Sequence, residues 1–462
     1  MHLRLMLASL AALIAVPAVA APLLKLEPTT FKLADGTDLA VERGRFLVPE
    51  DRNDPGSRRI EIGFIRFKST NARPGAPIVY LAGGPGGSGV GTAHGARQPI
   101  FLALRAVADV IALDQRGVGL SNHIPPCTAR RKLDPAEPLT EASLSAYYRE
   151  TLGHCLAGWS AAGVAVKGYT TEQSADDIEA LRVALGARKV DLWGISYGTH
   201  LAFAAMRRHP RSIGRVALAS AEGMDQTVKL PAHLDATFAR IERFAPGLGA
   251  RMRRVHARYD AAPQTLALAQ DGPSFRADSF PLRMMAGILP KNPDGIARLA
   301  GAYQALEAGQ TQALAPLIWG YFFRNPLTMS GMPELMDMAS GITESRLALV
   351  RRQAAASILG TATNFPMPQL RGTVPGLDLG DGFRREIGSA VPVLLLSGDL
   401  DVRTPLEEQA AATAGLKNLH RILVRNGGHD LFEAHPDVPG ILVDFFSGRK
   451  VTASELTLPP PE

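Results

Sequence analysis

The chain has 462 residues, 46% hydrophobic and 20% charged, an ordinary globular composition with ample apolar material for a large core. Its 50 basic and 44 acidic residues leave a formal charge of +6. That excess is thinly spread, with no long basic run and no interleaving of basic and aromatic residues, which argues against a nucleic-acid partner.

The first segment reads as a targeting signal. His2 and Arg4 precede the apolar stretch Leu5 to Val16, and Pro17 to Pro22 supply small residues around an A-x-A-like site. This predicts a secretory signal peptide over residues 1–20, cut after Ala20 and too short for a membrane span. An uncleaved anchor is the alternative. No later segment approaches the roughly 20 uninterrupted apolar residues a span needs. The mature protein is therefore expected to be periplasmic or secreted, without stable membrane insertion.

From Phe31 to Ser69 apolar and polar residues alternate, with turn signals at Asp35-Gly36 and Asn53-Asp54-Pro55-Gly56. The pattern predicts antiparallel strands at a sheet edge. Near-continuous apolar runs follow at 76–81, 108–113, 190–193 and 216–219, separated by helical patterns such as Gln173 to Leu185. Such runs suit strands buried on both faces of a parallel sheet, and their alternation with helices predicts an α/β architecture. Between the second and third runs lie Cys127 and Cys155. In an exported protein these are expected to pair, closing a loop of about 28 residues and stabilising the fold by roughly 3–4 kcal/mol in the chain-entropy model. Two buried free thiols are the alternative. Two thiols without a Cys-x-x-Cys partner do not make a four-ligand zinc site.

The alternation stops after Gly223. Residues 224–390 show helical patterns broken by Pro and Gly, with nine of the twelve methionines and the cluster Trp319-Gly320-Tyr321-Phe322-Phe323. Strand patterns resume at Val391 to Leu396 and Arg421 to Val424, and a last helix is predicted over Val438 to Phe446. The expected organisation is a core of residues 21–223 and 391–450, interrupted by a helical lid at 224–390. Residues 451–462 are expected to be a tail, its Pro-rich end from Leu458 disordered.

Ser196 stands in Gly194-Ile195-Ser196-Tyr197-Gly198, after an apolar strand and before the helical Thr199 to Ala205. Strand, tight turn and helix with a serine at the apex form a nucleophile elbow, which thrusts the hydroxyl into a cleft above the sheet. The flanking glycines are expected to admit the strained turn. A serine hydroxyl needs a general base, and the base an orienting acid. After the strand ending at Leu396 comes Ser397-Gly398-Asp399-Leu400-Asp401-Val402-Arg403-Thr404-Pro405, and after the next strand Asn426-Gly427-Gly428-His429-Asp430. Both loops open on the carboxyl edge of the sheet, where the serine also emerges. Asp401 is taken as the acid and His429 as the base, while Asp399 is read as a turn former bonding local backbone. His200, His209, His420 and His435 read as helix-surface, loop or capping residues.

Ala82-Gly83-Gly84-Pro85-Gly86-Gly87 follows the strand ending at Leu81. Its glycines let backbone N–H groups face a tetrahedral oxyanion, for which Gly84 and Tyr197 are the expected donors. A phosphate-binding loop is the rival; the G-x-x-x-x-G-K-[ST] pattern is missing and Pro85 removes a donor.

Gly83-Gly84-Pro85-Gly86, Asp114-Gln115-Arg116-Gly117-Val118-Gly119-Leu120-Ser121 and Gly194-Ile195-Ser196-Tyr197-Gly198 together resemble the prolyl iminopeptidase and tripeptidyl aminopeptidase branch of the α/β-hydrolases, peptidase family S33. Tyr169 to Arg182, the paired cysteines and the acid loop ending Thr404-Pro405 are similar to its secreted tripeptidyl-aminopeptidase-like members. Ala82 departs from the His that many prolyl iminopeptidases carry before Gly-Gly-Pro-Gly. The resemblance implies an α/β-hydrolase fold and a serine hydrolase that removes short pieces from peptide N-termini, with no metal or organic cofactor. It also implies a carboxylate for the substrate α-ammonium, and Glu222 is the candidate. Asp114 and Arg116 are read as braces for the loops around the elbow. The lid is expected to cover the serine, its Met and aromatic residues mostly packing its own helices. A carboxylesterase or lipase-like enzyme with the same triad is the alternative, and a non-catalytic binding protein of the same fold a remoter one.

Overall fold

Ile78–Leu81, Val110–Leu113, Val190–Ile195 and Val393–Gly398 are buried at every position, as strands covered on both faces must be. They form the middle of a ten-stranded sheet in the computed structural model, which describes residues 23–461. The predicted signal peptide lies outside the described residues. In chain order the strands are β1 (Lys25–Lys32), β2 (Asp38–Pro49), β3 (Arg59–Phe67), β4 (Ile78–Leu81), β5 (Val110–Leu113), β6 (Val190–Ile195), β7 (Ile213–Ala219), β8 (Val393–Gly398), β9 (Leu419–Arg425) and β10 (Glu455–Thr457). Their spatial order is β1-β2-β3-β5-β4-β6-β7-β8-β9-β10. The first three strands are antiparallel and join β5 antiparallel; from β5 onward every pairing is parallel. This is the α/β architecture that the alternation of apolar runs and helical patterns predicts.

Alternation along each central strand builds two cores. Val79, Leu81, Ile111, Leu113 and Leu192 face one layer of helices, while Ile78, Tyr80, Val110, Ala112 and Trp193 face the other. Among the covering helices, α1 (Glu141–Ala161) begins in a Thr140–Ser143 capping box and α2 (Thr171–Ala184) in a Thr170 cap. Helix α3 (Tyr197–Arg208) follows β6 directly, and α4 (Val438–Phe446) precedes the last strand. Cys155 of α1 is bonded to Cys127, with Cα atoms 5.5 Å apart. Cys127 and Thr128 also pair with Met329 and Thr328, so the crosslinked loop holds a segment of the chain between β7 and β8.

The chain between β7 and β8 has a core of its own, built around Phe238, Met252, Tyr259, Leu299, Tyr303 and Ile318. Leu400 and Val402 of the loop after β8 are buried in that core, which seats the helical segment directly over the acid loop. Two local readings are corrected. Gln264–Ala267 and Ser274–Ala277 form an antiparallel hairpin inside the region read as helical; Leu266 and Phe275 point into the core on the period of two that makes it a strand pair. Residues 455–457, read as tail, add a parallel edge strand because Leu456 is buried against Val424.

Candidate active site

Five loops at the carboxyl ends of consecutive parallel strands converge here: those after β4, β6, β7, β8 and β9. Ser196 lies at the β6–α3 junction with φ 55° and ψ −128°. Only Ser196, Ser220 and Asn426 have positive φ among described non-glycine residues, and each follows a parallel strand. Such a conformation costs about 1–3 kcal/mol and persists where its surroundings over-determine it. Here Ser196 N–H donates to the Ala219 carbonyl at 3.1 Å, and its own carbonyl accepts from Thr199 Oγ1 at 2.6 Å. The strained backbone conformation therefore sits on the serine itself. The flanking glycines serve close approach: a Cβ on Gly198 would lie 2.1 Å from the Leu81 carbonyl, and one on Gly194 would lie 2.7 Å from the Gly198 carbonyl.

Asp401 is fully buried in the loop after β8. Its Oδ1 accepts the N–H groups of Arg403 and Thr404 at 2.8 and 2.9 Å, and its Oδ2 accepts the Thr404 hydroxyl at 2.6 Å. His429 Nδ1 stands 3.0 Å from Oδ2. Burial pushes the Asp401 carboxyl up, but the His429 imidazole and the Thr404 donors outweigh it and hold it below its ordinary value. The imidazole is fixed from behind as well. His429 N–H donates to the Lys291 carbonyl at 2.8 Å, and Ser220 Oγ donates to the His429 carbonyl at 2.8 Å. Asp399, the other carboxylate of the acid loop, points away. It meets Arg243 of the helical segment at 3.1 Å while its carbonyl accepts from Arg240 at 2.7 Å, so it ties that segment to the acid loop instead of shaping its own turn.

The N–H groups of Gly84 and Tyr197 find no acceptor among the described residues. For Tyr197 this is the ordinary state of the first helical residue. Its side chain is buried away from the cleft, with the hydroxyl 3.0 Å from Thr171 Oγ1. Gly84 and Ser196 line the same cavity, so two free donors flank the serine.

That cavity, about 530 Å³, is lined by Ser196 and His429 together with Arg97, Lys291, Tyr321 and Arg403. A smaller one of about 120 Å³ shares Ser196, Gly84 and Arg403 and adds Glu222, Lys229 and Asp337. Glu222 is ion-paired with Lys229. Asp337 has no side-chain partner among the described residues, and burial reinforced by Glu222 pushes its carboxyl well above the ordinary range. Asp337, Lys229 and Arg403 escaped the sequence reading. The one local signal was an acid at position 337 of Met332–Ser340, a helix of buried Met and Leu.

The loops are braced as the Asp-Gln-Arg-Gly motif suggests. Asp114 accepts from Ser88 Oγ at 2.6 Å and from Leu120 N–H at 2.7 Å, joining the loops after β4 and β5. The Arg116 guanidinium, wholly buried, grips Asp177 at 2.7 and 2.8 Å. His200 is no surface residue: it is buried between the Gly223 carbonyl at 2.9 Å and Ser340 Oγ at 3.0 Å, and desolvation lowers its basicity. Trp319 and Phe323 pack on Phe275 inside the helical segment, whereas Tyr321, 54% exposed, lines the larger cavity. The described residues contain no cluster of His, Cys, Asp and Glu fit to hold a metal ion, and no helix long and apolar enough to cross a membrane.

A family model described as alpha/beta hydrolase fold matches residues 76–436, and the chain belongs to that family. A tripeptidyl aminopeptidase of Streptomyces lividans is 32% identical over 171 residues, 35% of this chain and 32% of that protein. Serine protease Hip1 of Mycobacterium tuberculosis is 29% identical over 178 residues, 37% of this chain and 34% of its own length. The chain thus spans about a third of the length of these curated relatives. Among solved structures, the proline iminopeptidase of Mycobacterium smegmatis aligns over 87% of this chain and 97% of its own, at 14% identity and a TM-score of 0.42.

Proposed function

We propose that this chain is an exported serine hydrolase of the S33 type that cleaves short peptides from their N-terminus. The observation that carries the reading is the His429–Asp401 contact at 3.0 Å, with His429 and Ser196 lining one cavity. Ser196 Oγ attacks the scissile carbonyl while His429 Nε2 takes its proton. The N–H groups of Gly84 and Tyr197 hold the oxyanion, a contribution of roughly 3–4 kcal/mol per donor. His429 then returns the proton to the leaving amine, and water, activated by the same imidazole, releases the acyl group. The substrate α-ammonium is held in the smaller cavity by Asp337 and Glu222, the carboxylates that line it beside Ser196. An ammonium entering there supplies the charge that lets Asp337 ionise. The similarity to a tripeptidyl aminopeptidase and a serine protease supports peptide over ester substrates. Export is supported by the signal-like residues 1–20 and by the Cys127–Cys155 bond.

The test is a fluorophosphonate probe for Ser196 together with parallel assays on aminoacyl and tripeptidyl anilides, their N-acetylated forms and p-nitrophenyl esters. Anilide cleavage that vanishes on acetylation is expected. Ester hydrolysis alone would reassign the chain to the carboxylesterases, and absence of labelling would remove the serine mechanism.

A further inference from the structure

Four cationic side chains line the two cavities around Ser196, and three of them are neutralised. Arg97 meets Glu433 at 2.9 Å and Asp430 at 3.4 Å, Lys291 meets Asp430 at 2.8 Å, and Lys229 is paired with Glu222. Arg403 lines both cavities, and its guanidinium makes no hydrogen bond or ion pair with any described residue. The backbone that carries it is anchored, since Arg403 N–H donates to Asp401 Oδ1 at 2.8 Å and Thr404 N–H does so at 2.9 Å. An exposed, uncompensated guanidinium on a fixed root, beside the nucleophile, is a receptor for a planar anion.

We propose that Arg403 is a carboxylate-binding residue on the leaving-group side of the cleft, so that the preferred substrates are short peptides with a free C-terminal carboxylate. The proposal rests on the peptidase reading above. Its polarity follows from the groups left without a partner. In the smaller cavity Glu222 is paired with Lys229 and Asp337 is the carboxyl left to take the ammonium end, whereas in the larger one Arg97 and Lys291 are paired and Arg403 is the cation left for an anion. A peptide advances about 3.3–3.6 Å per residue, so a carboxylate one or two residues beyond the scissile bond remains within the cleft and a longer leaving fragment carries it out.

The experiment compares kcat/KM for peptides with one acyl residue in common and leaving fragments of one, two and six residues, each as free acid and as C-terminal amide. The wild-type protein is expected to favour the short acids over their amides by about tenfold to a hundredfold, the range of a charge-assisted hydrogen bond. The preference should fade for the six-residue fragment, drop to near unity in Arg403→Gln and survive in part in Arg403→Lys. Equal rates for acid and amide in the wild type overturn the proposal, as does a preference that Arg403→Gln retains. So does an Arg403-dependent preference for Glu over Gln before the scissile bond in amidated peptides, which would put the anion on the acyl side. If Arg403→Gln fails to show a cooperative melt, the wild-type length series and Arg403→Lys decide. If peptides are not cleaved but esters are, the peptidase reading alone has failed. The same comparison then runs on 4-acetoxybenzoate against its methyl ester, where preference for the acid upholds the subsite and equality overturns it. No turnover of either class overturns both.

Discussion

His429 Nδ1 lies 3.0 Å from Asp401 Oδ2, and the same carboxylate accepts two backbone N–H groups and the Thr404 hydroxyl. A carboxylate with so many donors cannot turn, so it dictates which imidazole nitrogen carries the hydrogen and where Nε2 points.

Asp401→Asn tests this relationship. The amide presents N–H to Nδ1 or loses the bond, favouring the tautomer whose Nε2 cannot accept a proton. A fall in kcat of about 10⁴-fold is expected, with labelling of Ser196 by fluorophosphonate slowed in parallel. The pH dependence follows from the sign of the shift. The Asp401 pKa is depressed, so its contribution to stability is present above the ordinary carboxylate value and lost only as pH falls through the lower folded value. Asp401 therefore stays ionised between pH 5 and 8 and does not produce the acid limb of a rate profile there. An Asn variant with kcat within tenfold of wild type would remove Asp401 from the mechanism.

The parts of this site that the sequence displays are those fixed by local order. Ser196, Asp401 and His429 each follow a strand within a few residues, and strand ends are legible from apolar runs bounded by glycine. Asp337 reaches the serine only because the helical segment folds back over the sheet, a placement no local pattern encodes, and although Arg403 stands in the acid loop itself, nothing local shows that its guanidinium is left without a partner. His200 misleads for a related reason. It sits in a helix that the sequence shows as ordinary, and Ser340, its partner, comes from the helical segment 140 residues away. Asp399 and Asp401 are two residues apart and point oppositely, one to Arg243 of the helical segment and one to His429. Motif spacing singles out Asp401, whereas the role of Asp399 depends on an arginine 156 residues earlier in the chain.

Gly198→Ala tests the close approach beneath the elbow. The new Cβ would meet the Leu81 carbonyl at 2.1 Å, and that carbonyl belongs to β4, which cannot yield as a flexible side chain does. Overpacking of this kind costs about 1–3 kcal/mol and more where backbone must move. It would also displace Gly84, three residues on, so kcat should fall with stability. Gly153→Ala in the middle of α1 is the control. Nothing lies within 4 Å of its Cβ, and helix propensity predicts a gain of up to about 1 kcal/mol. Urea midpoints and kcat for both variants check the pair; equal effects would mean that the strand–helix contact is looser than its geometry.

Asp191, in β6 beneath the serine, supplies a stability prediction independent of catalysis. Its side chain is 5% exposed, and its Oδ1 accepts the Arg215 N–H at 2.7 Å. Burial raises its pKa from 3.8 to about 7, opposed by that hydrogen bond and by the charges of Arg215 and Lys189. Between those values the native chain keeps a proton that the unfolded chain has lost. The contribution is thus fully present below the unfolded value and lost as pH rises through the folded one, at about 1.4 kcal/mol per unit. Asp191→Asn keeps an acceptor for Arg215 and removes the titration. The stability of wild type minus that of the variant should fall by about 2–3 kcal/mol between pH 5 and 8 and then level off. Urea denaturation across that range measures the difference directly, and a flat line would show that Asp191 is ionised in the native protein and charge-compensated by its surroundings.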